Sequence, residues 1–235
     1  MAALRSSDEH RPSNEHRPSN EHTPSDEHRP SDGLLAQVAA YTCEAVSAVA
    51  RADLCAPTPC GRWDLQALLL HLNSSLGSLI AMLHDGRAGP PAGPGAAAGR
   101  RSRAADLLTD DVGALLATAV CHRTERLVRV HDALRRGQGP RAILIGGRPL
   151  AADMVAAAGA VEIAVHSWDV SAACGRSLPI PDAPAAELLE LAAQIVDGTA
   201  RPGLFAAAVS PPPGSRPGDR LLALLGRAPD GTARR

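Results

Sequence analysis

The chain has 235 residues, with 24 arginines, no lysine and 25 acidic residues, for a formal net charge of −1. That balance provides no basic surface of the kind nucleic acids select, and the length allows one substantial core plus a poorly ordered tail. Only Tyr41, Trp63, Trp168 and Phe205 are aromatic, so the core must be built from Leu, Val, Ile and Ala, which predicts an all-α protein.

Residues 5–32 are a hexapeptide repeat: RSSDEH, RPSNEH, RPSNEH, TPSDEH, then RPSD. Lacking large apolar side chains and carrying a proline in most units, residues 1–32 are expected to be a disordered tail. The recurring His10, His16, His22 and His28 invite a metal-storage reading, but a flexible array lacks the preorganisation of a specific site. The folded region is then 33–235. A first helix is predicted over Gly33 to Arg51, capped by Ser31 or Asp32, with Leu35, Val38, Ala45, Val46 and Val49 on one stripe. After a Pro-rich loop and Trp63, read as a hydrophobic anchor, Asp64 caps a second helix running to about Leu83. Leu65, Leu68, Leu69, Leu72, Leu76, Leu79 and Ile80 form its stripe. His71 lies beside that stripe on the face of Leu68 and Ser75, toward the interior or its edge.

Residues 84–103 are too rich in Gly, Pro and Ala for a regular element. A third helix spans Ala104 to Arg135, with a break allowed at Gly113; Leu107, Leu115, Val120, Leu127, Val130 and Leu134 are expected inward. His122 and His131 have no well-spaced partner and read as surface or satisfied residues. The IGGRP turn leads into a fourth helix, Leu150 to Cys174, ended by Gly175; Ala142 to Gly146 allows a short extended segment. A fifth helix follows over Ala183 to Val196 and a last one over Pro217 to Leu225. Four long helices and two short ones suit an antiparallel bundle with appendages.

The chemistry concentrates in AVEIAVHSWDVSAACG, Ala160 to Gly175. Glu162 and His166, four residues apart, share one helix face, and a carboxylate and an imidazole so placed can hold one ion. The same spacing occurs in ordinary surface pairs. The nearly charge-free run Val155 to Trp168 favours ligation, because a carboxylate buried there needs a cation or a strong donor. With His71 the pair makes three ligands, leaving a coordination position open. Trp168 and Asp169 read either as pocket or positioning residues, or as core filler and a loop bond. Cys174 reads as a small buried apolar residue.

The segments PCGRWDLQALLLHL (Pro59 to Leu72) and VEIAVHSWDVSAACG (Val161 to Gly175) resemble the signatures of the mycothiol-dependent maleylpyruvate isomerase-like branch of the DinB superfamily. DRLLALLGRAP (Asp219 to Pro229) resembles its C-terminal signature. The resemblance implies a DinB-like antiparallel four-helix bundle with short extra C-terminal helices, holding a divalent metal, usually zinc, on His71, Glu162 and His166. It implies mycothiol or a related low-molecular-weight thiol as cosubstrate, in isomerisation or S-transfer on a small electrophile. Ser167 stands where that family commonly has glycine, and the absence of a large further domain after the bundle puts maleylpyruvate itself in question. Arg227 and Arg220, then Arg148, are the candidates for an anionic substrate, and Trp168 and Asp169 for the cosubstrate. A non-catalytic metal- or ligand-binding protein is the alternative.

Five cysteines without a CxxC pair suggest a reducing, cytoplasmic setting. No apolar run of 18 residues and no secretory leader is evident, so neither membrane nor nucleic acid is expected as partner. A monomer or homodimer acting on small molecules is.

Overall fold

The computed structural model describes residues 33–61, 63–89, 109–196 and 206–228. The repeat tail with its histidines, the Ser31 and Asp32 caps, Leu107, Phe205 and most of the Gly/Pro-rich loop lie outside them. The described residues are mostly helical, with six α-helices and one small two-stranded sheet. Helix α1 is Leu34–Val46, followed by a 3₁₀ turn at Val49–Arg51. Helix α2 is Leu65–Asp85 and α3 is Thr109–Arg135. Strands β1 (Ala142–Ile145) and β2 (Arg148–Ala151) precede α4, Ala152–Ala173. Helices α5 (Asp182–Ile195) and α6 (Pro217–Leu224) complete the order.

Local chemistry explains most boundaries. The Asp64 carboxylate accepts from Ala67 N at 2.8 Å and caps α2 as expected, and Gly86 ends it in the left-handed region. Every leucine of the α2 stripe is buried, which is why a helix long and apolar enough to cross a membrane serves here as a core element. Helix α1 stops short of the predicted Arg51: both N–H and Oγ of Ser47 turn back to Glu44 O, at 3.3 and 2.7 Å, closing the helix. Its N-cap is Gly33, with no side-chain cap bond. Gly113 does not interrupt α3; a Cβ there would stand 3.1 Å from Val49 O, so the glycine permits close approach rather than a break. Leu115, expected inward, is 67% exposed. The buried face of α3 is set by Val120, Thr124, Leu127 and His131, and Leu115 is out of phase with that spacing.

The IGGRP segment does not open a helix. Gly146 and Gly147, both at positive φ (57° and 79°), make the two-residue turn of a hairpin in which Ile143 pairs with Leu150. Ala142 to Ile145 is thus extended, β2 is its unforeseen partner, and α4 begins at Ala152 rather than Leu150. Leu144 bonds Gly86 and Ala88, at 2.9 Å each, docking the hairpin on the end of α2.

Contacts between helices fix their directions. Cys43 meets Thr124 at 3.6 Å while Val49 meets Gly113, so α1 and α3 run oppositely. Ser75 meets Glu162 and Leu79 meets Gly159, so α2 and α4 do too. Thr42 meets Ser167 and Glu44 meets Arg176, so α1 and α4 run the same way. Arg123 bonds Asn73 O at 2.9 Å, and Gly86 abuts Pro140 just beyond α3, so α2 and α3 are also parallel. The antiparallel expectation is therefore corrected for two of these four packed pairs. Helix α4 packs against both α1 and α2 and is apolar around most of its circumference. Helix α5 packs on α4, and α6 on α5.

Candidate metal centre

The first turns of α2 and the middle of α4 cross with His71 and Ser75 facing Glu162 and His166. His71 Nε2 lies 3.2 Å from Glu162 Oε1, and Ser75 Oγ donates to the same oxygen at 2.7 Å. Ligand-capable atoms of His71, Glu162 and His166 all lie within 4.8 Å of one another. The two imidazoles meet edge to face, centroids 5.1 Å apart. Three residues drawn from two helices thus converge on one point, which the sequence spacing alone left open.

The support for His166 is buried. Its Nδ1 lies 3.0 Å from Asp169 Oδ2, and Arg227 grips the same carboxylate, Nη2 at 2.9 Å from Oδ2 and Nε at 3.4 Å from Oδ1. Burial pushes the Asp169 carboxyl up, but the hydrogen bond from His166 and the charge and hydrogen bonds of Arg227 outweigh it and hold the group below the usual carboxylate range. An ionised carboxylate can only accept, so Nδ1 donates to Asp169 and Nε2 is the ring nitrogen left to serve as a ligand. A carboxylate fixing the far nitrogen of a ligand histidine is the arrangement metal sites use. Burial likewise pushes Glu162 up, and hydrogen bonds from His71 and Ser75 with the charge of His166 bring it below its ordinary value.

Glu162 is less buried than its apolar sequence neighbours suggest. Its side chain is 42% exposed, on the open side of an otherwise buried helix, whereas Asp169 is fully buried. The carboxylate that requires a cation from the protein is Asp169, and Arg227 supplies it. Arg227 is consequently turned inward, its Nη1 also donating to Leu225 O at 3.0 Å; it reaches the cluster through Asp169. Arg220 is exposed on α6 without a contact to the cluster among the described residues. Arg148 is exposed in the hairpin at the other end of α2, roughly 20 Å along that helix from His71. Trp168 is core, 7% exposed. Cys174 is half-buried, its thiol pushed up by burial against the lowering effect of Arg176.

Two neighbours had no sequence signal strong enough to find them. Trp63, expected as a hydrophobic anchor before the α2 cap, lies tilted against His71, centroids 4.2 Å apart and 35° between planes. Cys60, in the same loop, places Sγ within 4.8 Å of a His166 ring nitrogen and an Asp169 oxygen. No spacing rule joins residues so distant in the chain.

These features define a helical protein with an open His/Glu/His cluster braced by a buried Asp–Arg pair. Residues 35–171 match the model of the mycothiol maleylpyruvate isomerase N-terminal domain, and the chain belongs to that DinB-like family. The match contains His71, Glu162, His166, Trp168 and Asp169; Arg220 and Arg227 lie beyond it. No curated protein and no solved structure matches the chain.

Proposed function

We propose that the four long helices form a DinB-type four-helix bundle whose function is metal-dependent thiol chemistry. His71, Glu162 and His166 hold a divalent ion, zinc by preference for this nitrogen and oxygen set. The reading is carried by the convergence of those three side chains with Asp169 fixed on the far nitrogen of His166. The separation of 3.2 Å between His71 Nε2 and Glu162 Oε1 suits two ligands at about 2.0–2.2 Å from a shared ion.

When bound, such an ion lowers the pKa of a coordinated thiol and keeps it as a thiolate. The chain's own residues do the rest. Asp169 keeps the Nδ1 proton of His166 in place, Arg227 keeps Asp169 ionised, Ser75 orients Glu162, and Trp63 shields one side of His71. The thiol is mycothiol or a related small thiol. Its sulfur adds to an electrophilic carbon; expulsion of the same thiolate after bond rotation gives isomerisation, and expulsion of another leaving group gives S-transfer. Arg220 is the exposed cation proposed to meet an anionic substrate. The setting is cytoplasmic, the protein a monomer or homodimer, and neither nucleic acid nor membrane is a partner. The alternative is a metal- or ligand-binding protein that binds without turnover.

The test is the metal content of the purified full-length chain, followed by incubation of the loaded protein with mycothiol and a panel of activated alkenes, halides and S-conjugates. Stoichiometric divalent metal, lost in His71→Ala, and thiol adducts by mass spectrometry are expected. No stoichiometric metal, or unchanged content in His71→Ala, refutes the metal reading. Metal without adducts favours binding without turnover.

A further inference from the structure

Two thiols outside the His/Glu/His cluster meet between α1 and α3. The close approach of Val49 to Gly113 sets the register of this antiparallel pair, and roughly two turns from that contact along each helix lie Cys43 and the Cys121–Thr124 turn. Cys43 Sγ is 3.6 Å from Thr124 Oγ1, and Thr124 Oγ1 donates to Cys121 O at 2.8 Å, so the Cys43 side chain rests on the turn that carries the second thiol. The one hydroxyl hydrogen of Thr124 is committed to that carbonyl. The 3.6 Å contact is therefore made by the Cys43 S–H donating to Thr124, which leaves the Cys43 sulfur to accept from Cys121. Cys121 is hydrogen-bonded to Cys43: burial first, then that bond, then the charges of Cys43 and Glu125 push its thiol up to about 12. Both cysteines are free and half-buried, so neither is sealed in the core.

We propose that Cys43 and Cys121 are a redox-active dithiol: the disulfide of a low-molecular-weight thiol oxidises them to an internal disulfide that joins α1 to α3, and an excess of the small thiol reverses it. The step is thiol–disulfide exchange. Cys43 Sγ gives its proton to water and attacks one sulfur of the small disulfide, whose S–S bond breaks; the first small thiolate leaves and takes up a proton. With Cys43 held in the mixed disulfide, its charge no longer opposes ionisation of Cys121. The Cys121 sulfur then loses its proton and attacks Cys43 Sγ, expelling the second small thiol. One small-molecule S–S bond and two protein S–H bonds are exchanged for one protein S–S bond and two small thiols, so two electrons pass from the protein to the small disulfide. Closing from hydrogen-bond contact to an S–S bond of about 2.05 Å asks each side chain for a shift on the order of 1 Å. None of His71, Glu162 and His166 takes part, so the dithiol stands apart from the metal reading above.

The experiment treats the reduced full-length chain with bis(2-hydroxyethyl) disulfide, caps the remaining thiols with N-ethylmaleimide and maps tryptic peptides by mass spectrometry. Arg51 and Arg123 end the peptides that carry Cys43 and Cys121, and neither peptide contains another cysteine, so a bridge between them is read directly. Unaltered protein is expected to lose two hydrogens and two alkylatable thiols, with Cys43 joined to Cys121, and to recover both thiols in dithiothreitol. Cys121→Ser should stop at a mixed disulfide, with one 2-mercaptoethanol on Cys43. Unreacted Cys43 and Cys121 in unaltered protein, mixed disulfides there without an internal bridge, or a bridge between a different pair each overturn the proposal. The main measurement needs no variant, so misfolding of Cys121→Ser cannot produce the expected result. It needs no metal either, and a chain that binds none should still form the bridge.

Discussion

Replacing Arg227 with methionine would remove the arginine that pairs with the buried Asp169. At the observed 2.9 Å, an effective dielectric of about 20 gives roughly 6 kcal/mol of attraction. Desolvation of both ions offsets much of this, but removing one partner leaves the other's desolvation uncompensated, and such losses run about 3–5 kcal/mol. Asp169 retains His166 as a partner, so the lower end, about 3 kcal/mol, is expected. Urea unfolding of Arg227→Met, Asp169→Asn and the double variant would measure it. The double variant should be closer to wild type than the sum of the singles, with a coupling of about 2 kcal/mol or more. The pH dependence has a definite sign. A carboxyl held below its ordinary value in the native state contributes stability that is present above the unfolded value of about 3.9 and lost as pH falls through the native value. Removing Arg227 brings the native value toward the unfolded one, so the part of the stability that is lost on acidification should be smaller in Arg227→Met than in wild type. A loss under about 1 kcal/mol with no coupling to Asp169→Asn would refute the claim that Arg227 neutralises a buried carboxylate.

Asp169→Asn keeps the shape and still accepts from His166 Nδ1, but without the charge; zinc affinity by chelator competition should fall about 10- to 100-fold, and unchanged affinity would sever Asp169 from the centre. Gly159 is where α4 passes α2 one turn from the Ser75–Glu162 bond, and a Cβ there collides with Leu79 Cδ2. Gly159→Ala should therefore cost about 1–3 kcal/mol of stability, and Leu79→Ala should relieve the overpacking component of that loss. Additive effects in the double variant would show that the two residues do not share this packing point.

Legibility followed the range of the interactions. Helix α2 was readable to within two residues of its end because its cap and leucine stripe act within a few residues of one another; it runs on to Asp85, into the segment expected to be loop. The hairpin escaped because each strand has only four residues, too few for alternation to outweigh a helical pattern on either side. Helix α4 is recognisable as a helix, but being apolar nearly all round it gives no phase, so the sequence suggests a buried Glu162 and leaves Asp169 open between a positioning role and a loop bond.

The amino-acid sequence by itself determined the helical class, because it has few aromatic residues and an abundance of Leu and Ala. It also determined the family, and with it the candidate trio His71, Glu162 and His166. Tertiary structure decided what local spacing cannot encode. It set α2 parallel to α3 and α1 parallel to α4, brought Trp63 against His71 and Cys60 near His166 and Asp169, and placed Arg227 of the C-terminal segment on Asp169 in the helix that carries Glu162 and His166. Those outcomes depend on which surfaces remain to be buried once the helices pack and on which buried charges then need partners, and both are properties of the whole fold rather than of any segment.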